Sequence, residues 1–200
     1  MKQLLLLLFA YFMGSIPTGV WIGKQFYHKD IRQYGSGNSG STNTFRVLGK
    51  QAGIIVLTID ILKGTIPVVV AIALGTTWHP LIIGLFAILG HTYPIFAHFK
   101  GGKAVATFAG IMLGYLPLLF IEVIIVFAII LYFTRMVSLT SMVTIFLGWL
   151  WVLYYYNDPV LHWIVFGVFI FIVYRHRSNV KRLLDGTESK VPFGFRSKQK

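Results

Sequence analysis

Long apolar runs separated by short polar segments dominate this chain of 200 residues. About 20 consecutive apolar residues cross the hydrocarbon core of a bilayer as an α-helix, so runs of this length predict transmembrane helices. The runs are Leu4–Gly23, Ala52–Gly75, Pro80–Phe99, Ala104–Thr134, Val137–Tyr156 and Pro159–Tyr174. The first resembles a signal peptide, but no small-x-small cleavage site follows it, so we expect a retained first span. The pattern predicts an all-α polytopic integral membrane protein, with residues 1–200 as a single transmembrane domain.

The fourth run is too long for one upright crossing. Residues 104–134 would form a helix of about 46 Å, against a hydrocarbon core of about 30 Å. Pro117, preceded by two nearby glycines, is a natural break. We therefore expect a short helix near Ala104–Tyr115 and a full one near Pro117–Thr134, which makes about seven spans.

Charge patterning predicts the orientation. Basic residues cluster in the segment Lys24–Lys50, in the hinge Lys100–Lys103 and in the tail from Arg175, whereas the segments Gly75–His79 and Tyr156–Pro159 carry no Lys or Arg. The positive-inside rule places the basic segments in the cytoplasm and the N-terminus outside. Only a double crossing by the fourth run keeps the tail inside.

Composition limits the class of protein. Hydrophobic residues make up 56% of the chain and charged residues 12%, about half the charged share of a soluble domain. Membrane topology and anionic headgroups account for the net charge of +12, so we expect membrane lipids and no nucleic acid as partners. The chain has no cysteine, which excludes thiolate nucleophiles and thiolate metal sites.

Three acidic or basic side chains fall within apolar runs. Asp60 and Lys63 share one face of the second span at i and i+3, and intramembrane charges are usually paired or functional. The sequence leaves open whether they form a mutual salt bridge or take part in an anion site. Glu122 lies near the predicted outer interface, where we expect a structural or solvated role.

The first basic loop contains a glycine-rich stretch that is suited to binding an anion. Residues 35–43 read GSGNSGSTN, and Arg46 follows. Glycines let backbone N–H groups converge on an anion, Ser41 or Asn43 can start a short helix, and arginine binds phosphate through two parallel hydrogen bonds. No GK[ST] follows, so this is not a nucleotide-binding P-loop. The alternative is a flexible polar connector.

Three further segments add anion donors at the predicted cytoplasmic face. They are the stretch from Gly90 to Lys103, the hydroxyl-rich stretch Val137–Ser141 and the stretch from His176 to Glu188. Gly101 and Gly102 can break a helix, so that the next helix starts beside Lys103. His residues in a membrane protein are more often packing residues, and carboxylates are too scarce here for a metal site. We expect a phosphate-bearing substrate from the cytosol, with no metal and no cofactor.

Together these segments resemble the bacterial PlsY-type acylphosphate:glycerol-3-phosphate acyltransferases over nearly the whole chain. The stretches GSGNSGSTNTFRVLG from Gly35, GHTYPIFAHFKGGKAVAT from Gly90 and HRSNVKRLLDGTE from His176 are similar to the family's three motifs. The stretch DILKG from Asp60 is similar to the family's second span. Ala104 departs from the pattern, which has glycine after the lysine.

The resemblance implies a fatty acyl transfer from acyl phosphate to the 1-hydroxyl of sn-glycerol 3-phosphate. The products are lysophosphatidic acid and inorganic phosphate, in the first acylation of phospholipid biosynthesis. Acyl phosphate is already activated, so no acyl-enzyme is needed, and the enzyme has to hold two phosphates and stabilise an oxyanion. The H-x4-D pattern of other glycerolipid acyltransferases is absent. The general base is left open between His91, His176 and a substrate phosphate.

From the resemblance and the chemistry of these residue types we expect the following roles. The catalytic set is Ser36, Arg46, Lys103, His176 and Asn179. The substrate-binding or phosphate-binding set is Gly35, Gly37, Asn38, Ser39, Thr42, Asn43, His91, Gly101, Gly102 and Ser141. Asp60, Lys63 and Glu188 are expected to give structural support.

We expect a multi-pass protein of the bacterial inner membrane, working as a monomer with its active site facing the cytoplasm. The main alternative is a transporter or flippase for an organic phosphate or a phospholipid, which would also show broken helices and intramembrane charges. Against it, no inverted repeat is visible and the polar motifs cluster at one predicted face. A membrane scaffold would leave the density of phosphate donors unexplained.

Overall fold

The fold is entirely helical over the residues that the structure describes. In this computed structural model those are residues 1–195, and they contain ten α-helices, two 3-10 turns and no strand. The all-α prediction is confirmed. The helices are α1 (Lys2–Gly14), α2 (Thr18–Tyr27), α3 (Ser41–Leu48), α4 (Lys50–Ala73), α5 (Pro80–Thr92), α6 (Val105–Tyr115), α7 (Pro117–Thr134), α8 (Val137–Tyr155), α9 (Pro159–Arg175) and α10 (Arg177–Leu184).

The helices form two compact units. The first comprises Met1–Pro117 and the second begins at Leu118. The single domain over residues 1–200 stays a prediction.

Five of the described helical segments are long and apolar enough to cross a membrane. They are Lys2–Tyr27, Lys50–Ala73, Pro80–Ala97, Pro117–Thr134 and Val137–Tyr155. The pair α9 and α10, bent by 61°, makes a sixth if it is one span, and α6 is a shorter apolar helix. A multi-pass membrane protein follows, while the count of seven spans and the orientation stay predictions.

Proline sets three of the helix boundaries. The break near Pro117 is confirmed, since α6 ends at Tyr115 and α7 starts at Pro117. The third run, predicted as a span to Phe99, is α-helical only to Thr92, because a residue before proline avoids the helical region and Pro94 follows Tyr93.

The first run is likewise not one helix. It divides into α1 and α2 at Ser15–Pro17, where proline cannot donate the next helical hydrogen bond. The two helices together still form one candidate membrane span, Lys2–Tyr27, as the predicted first span requires.

Glycines bring the helices of the first unit into close contact. A side chain at Gly14 or Gly90 would overlap the backbone oxygen of Ala87 or Tyr11, between α1 and α5. At Gly110 it would overlap the backbone of Ile61 in α4. Such close backbone approach is how membrane helices gain van der Waals contact without a hydrophobic driving force.

Aromatic contacts and the C-terminal segment organise the second unit. Trp149 of α8 and Phe166 of α9 have ring centroids 4.8 Å apart. The Arg135 guanidinium donates to the Val191 carbonyl at 2.9 Å, and the Val191 N–H donates to the Arg135 carbonyl at 2.7 Å. The chain after α10 is thereby held against the end of α7.

Candidate active site

Asn43 lies at the centre of the glycine-rich loop. Its side chain is 1% exposed, and its amide nitrogen donates to the carbonyls of Ile31, Tyr34 and Asn38 at 2.9 to 3.1 Å. Its amide oxygen accepts from the Ser36 N–H at 2.9 Å. One buried amide therefore closes residues 31–43 into a defined loop, which is not a flexible connector.

Two glycines of this loop adopt a left-handed backbone that other residues rarely take. Gly35 has φ +60° and Gly37 has φ +71°, and a side chain at Gly35 would overlap the Asn43 amide oxygen. The backbone can therefore pass close to Asn43 while Ser36, between the two glycines, remains exposed.

Helix α3 begins at Ser41, the first of the two predicted starts, and presents Thr42 and Arg46 on one face. These two residues are exposed and four positions apart, which places them next to each other on the helix surface. The Arg46 side chain passes Gly35, since its Cδ atom lies 3.3 Å from the position of a Cβ at Gly35. The guanidinium and the glycine loop thus belong to one surface.

The glycine pair of the second motif folds back onto the end of α5. The Gly101 N–H donates to the Thr92 carbonyl at 3.2 Å, and the Gly102 N–H donates to the His91 carbonyl at 3.1 Å. A side chain at Gly102 would overlap the His91 imidazole at Nε2. The preceding helix ends at Thr92, before Pro94, so the glycine pair lies in the connection to α6 and does not itself break a helix; Lys103 and Ala104 directly precede α6.

A cleft of about 490 Å³ lies between the glycine-rich loop and this turn. Arg32 joins the two sides, because it donates to the Ala97 carbonyl at 3.4 Å and pairs with Asp30 at 2.7 Å. The hydrogen bond from Arg32 holds the pKa of Asp30 at about 2. The cleft is lined by Asp30, Arg32, Gln33, Gly37, Ser39, His98, Lys100 and Gly101.

Five of those lining residues were not among the predicted site residues: Asp30, Arg32, Gln33, His98 and Lys100. The available signal was the Asp-x-Arg spacing before the glycine-rich loop and the His-x-Lys spacing before the glycine pair. Both spacings also occur in basic loops without a site, so only the folded structure shows that these residues line a cleft.

Asp60 and Lys63 form an ion pair inside the first unit. Asp60 Oδ1 and Lys63 Nζ are 2.8 Å apart, and Lys63 Nζ also donates to the Ile16 carbonyl at 3.1 Å, in the break between α1 and α2. His91 Nδ1 lies 3.9 Å from the same carboxylate oxygen. Three predicted residues thus share one buried cluster.

The second unit gathers another set of predicted residues around Glu188. Its carboxylate accepts from Ser138 and from Asn179 at 2.7 Å, and from Arg182 at 2.8 Å. Burial alone would raise the pKa of Glu188, but these three hydrogen bonds lower it below its ordinary value. Asn179 is therefore held in one orientation.

His176 and Ser141 are also buried in the second unit. His176 joins α9 to α10, and its Nδ1 lies 2.8 Å from the Ile172 carbonyl, which favours the tautomer with the proton on Nδ1. Ser141 donates to the Val137 carbonyl at 2.8 Å within α8.

The predicted site residues therefore form two groups, one within each unit. The first unit joins the glycine-rich loop, Arg46, the glycine pair and the buried cluster of His91. Asn38, at the rim of that loop, uses its side-chain oxygen to accept from the Gly40 N–H at 3.0 Å. The second unit joins Asn179 and Glu188 directly.

Comparison with known proteins identifies the family. Residues 4–186 match the family model of glycerol-3-phosphate acyltransferases. The chain belongs to this acyltransferase family. It is 52% identical to the glycerol-3-phosphate acyltransferase of Enterococcus faecalis, with 100% of this chain and 96% of that protein covered. It is 53% identical to that of Limosilactobacillus reuteri, with 95% and 91% covered.

Solved structures of the family have the same fold. The crystal structure of PlsY (YgiH), an integral membrane glycerol 3-phosphate acyltransferase, in its glycerol 3-phosphate form is 37% identical, with a TM-score of 0.91 and 96% of each chain covered. Its lysophosphatidic acid form is 35% identical, with a TM-score of 0.87 and 95% of each chain covered. The resemblance to PlsY-type enzymes is confirmed, and the chain is a bacterial multi-pass membrane acyltransferase.

Proposed function

We propose that this acyltransferase transfers a fatty acyl group from acyl phosphate to the 1-hydroxyl of sn-glycerol 3-phosphate. The observation that carries the proposal is the similarity, over 96% of each chain, to a solved structure named for its glycerol 3-phosphate form. The second solved form is named for lysophosphatidic acid, the product that this reaction would release.

The proposed reaction is a direct attack without an acyl-enzyme. The acceptor oxygen forms a bond to the acyl carbonyl carbon, the bond from that carbon to the phosphate oxygen breaks, and inorganic phosphate leaves with the electron pair. The hydroxyl proton passes to a phosphate oxygen of a substrate. This choice of base agrees with the small number of carboxylates, 6 Asp and Glu in the chain, and with the 3.9 Å between Asp60 Oδ1 and His91 Nδ1, which is beyond hydrogen-bond distance.

The glycine-rich loop is suited to hold a phosphate. Asn43 uses its amide for the loop backbone, so within this proposal it shapes the loop, and Ser36, Thr42 and Arg46 make the contacts to the substrate. A loop already fixed by buried hydrogen bonds loses little entropy on binding. The backbone of the loop that would surround the phosphate comes from Gly35, Gly37, Asn38 and Ser39.

Lys103 is the proposed partner of the acceptor phosphate. It follows the glycine pair directly, and an ammonium group at the start of a helix attracts an anion together with the helix N-terminus. Gly101 and Gly102 are required because the turn lies against the backbone and ring of His91.

His176, Asn179 and Ser141 are the proposed contributors from the second unit. The hydrogen bond from His176 Nδ1 to the Ile172 carbonyl fixes the tautomer and the orientation of the imidazole. Glu188 orients Asn179 and has no chemical step in this proposal. We further propose that the enzyme is a monomer of the inner membrane with its site facing the cytoplasm.

The identity of the acyl donor is the part of the proposal that one experiment can test directly. Purified enzyme in detergent is supplied with glycerol 3-phosphate and, in separate reactions, acyl phosphate, acyl-CoA or acyl carrier protein bearing the same chain. We expect phosphate release and lysophosphatidic acid only with acyl phosphate, and only when both substrates are present. Turnover with acyl-CoA alone would contradict the donor, and uptake of an organic phosphate without turnover would favour a transporter.

The phosphate contacts give a quantitative prediction. Arg46→Ala and Lys103→Ala should each lower kcat/KM about 10- to 100-fold, because a hydrogen bond to a charged group contributes about 1.5–3 kcal/mol. Lys50→Ala is the matched control, since Lys50 is an exposed cation at the start of α4. Near-normal activity of both site variants would show that the site is assigned wrongly.

A further inference from the structure

A charged cluster is buried in the apolar interior of the first unit. Asp60 and Lys63 are each 2% exposed and His91 is 7% exposed. Removing an ion pair from water costs several kcal/mol per ion, and replacing a buried pair by apolar residues is often neutral or stabilising. Stability alone therefore does not account for a charged pair at this position.

The Asp60 carboxylate connects three parts of the unit. One oxygen, Oδ1, lies 2.8 Å from Lys63 Nζ and 3.9 Å from His91 Nδ1. Lys63 in turn holds the Ile16 carbonyl at the break between α1 and α2, and Thr18 of α2 adds a side-chain hydrogen bond to Asp60. The carboxylate is thereby held by Lys63 and Thr18, and the same oxygen that pairs with Lys63 lies next to His91.

His91 stands between this carboxylate and the turn that carries Lys103. Its Nδ1 edge faces Asp60, whereas its Nε2 edge fills the space that a side chain at Gly102 would need. The His91 carbonyl also accepts from the Gly102 N–H at 3.1 Å. A rotation of the imidazole would therefore displace Gly102, and Lys103 is the next residue.

We propose that Asp60, held by Lys63, acts through the His91 imidazole to position the Gly101–Lys103 turn for the phosphate of the acceptor. Asp60 and His91 are then positioning residues, and His91 does not itself bind the substrate. This inference rests on the proposed role of Lys103. Its signature is a raised KM for glycerol 3-phosphate with little change in the KM for the donor.

The double variant Asp60→Asn/Lys63→Met separates positioning from stability. It removes both charges together, so no unpaired charge remains buried. The Ile16 carbonyl loses its donor from Lys63, so the thermal unfolding midpoint is measured to show that the variant still folds. We expect the KM for glycerol 3-phosphate to rise roughly 10-fold or more, because small displacements of a positioned group are costly. A folded double variant with wild-type KM would overturn the proposal.

His91→Gln is the second variant, because it leaves the ion pair in place and removes only the ring. It should raise the KM for glycerol 3-phosphate in the same way, and a wild-type KM would again overturn the proposal. On a Lys103→Ala background neither change should add a further loss, since both act through Lys103. Fully additive losses would show that the cluster does not act through Lys103.

These experiments distinguish a failure of the proposed function from a failure of the positioning role proposed for Asp60 and His91. If wild-type enzyme does not consume acyl phosphate with glycerol 3-phosphate, the proposed function fails whatever the cluster does. If Lys103→Ala raises KM while the folded Asp60→Asn/Lys63→Met enzyme does not, the function stands and this inference fails.

Discussion

A single buried amide, that of Asn43, gives the glycine-rich loop its shape. The predicted phosphate-binding set included Asn43. The folded chain directs its amide hydrogens to three carbonyls of its own loop. Those carbonyls are brought together only by folding, so no local spacing revealed this use of the side chain.

Gly102→Ala tests the contact between the second motif and His91. Gly102 does not have a left-handed φ, so its backbone tolerates alanine, and the cost comes from the overlap of the new methyl group with the imidazole. We expect at least a roughly 10-fold loss of kcat/KM in a chain that still folds.

Gly167→Ala is the control for that substitution. Gly167 lies within α9 and has nothing within 4 Å of an added Cβ, so alanine should leave activity unchanged and stabilise the helix by up to about 1 kcal/mol. Wild-type kcat/KM for Gly102→Ala would contradict the contact.

Ala104 occupies a position where glycine has the lower backbone energy. It has φ +61°, a left-handed conformation that costs a residue with a Cβ about 1–2 kcal/mol. Because glycine loses about 0.5–1 kcal/mol more entropy on folding, Ala104→Gly should stabilise the protein by up to about 1 kcal/mol. Thermal unfolding in detergent measures this.

Ala106→Gly provides the comparison, since residue 106 lies inside α6, where glycine should cost about 0.5–1 kcal/mol. If Ala104→Gly destabilised the protein as much as Ala106→Gly, the left-handed backbone at residue 104 would be wrong. The departure from the family pattern at Ala104 is thus expected to change the backbone energy at this one residue.

At the scale of elements, breaks in the helices create the candidate site. The break at Pro117 was predicted, because proline has a local cause for ending a helix, whereas the helix before the glycine pair ends earlier, at Thr92 before Pro94. The first run was predicted as one span, which the structure keeps, but the division into α1 and α2 at Ser15–Pro17 was not predicted, because the apolar pattern continues across it. It matters because the Ile16 carbonyl accepts from Lys63 there.

The segment after α10 depends on the ionised carboxylate of Glu188. Its pKa lies below its ordinary value of 4.5, so its stabilising effect is complete above about that pH and is lost as the pH falls through the lowered pKa. Hydrogen exchange of the α10 amides in the wild type should therefore be protected at neutral pH and should lose that protection only at acidic pH.

At neutral pH, Glu188→Gln should weaken this protection by about 1–2 kcal/mol relative to the wild type. The variant should also lose the dependence of this protection on acidic pH, when wild type and variant are measured at the same pH. Asp185→Asn is the control, because Asp185 is an exposed carboxylate three residues away. Equal protection in wild type and Glu188→Gln at neutral pH would contradict the role of the carboxylate.

At the scale of the whole molecule, the number of crossings decides where the tail lies. The basic segments share one side only if residues 105–134 cross twice, through α6 and α7. Helix α6 has 11 residues, which is short for an upright crossing.

A reporter active only in the cytoplasm should work when fused to the C-terminus and should fail when inserted at Asn157, in a segment without Lys or Arg. A C-terminal reporter that is active only in the periplasm would overturn the orientation and the cytoplasmic site with it. This measurement does not depend on the chemistry.

The sequence by itself determined the class of fold, most helix boundaries and the family. Hydrophobic length, proline and glycine act locally, and three ordered motifs are specific even before folding. Only the tertiary structure showed that Asn43 closes its own loop, that Arg32 joins two loops across a cleft, and that His91 lies between Asp60 and Gly102. These contacts join residues from different helices and loops, and their energies depend on distances that no pattern along the chain contains.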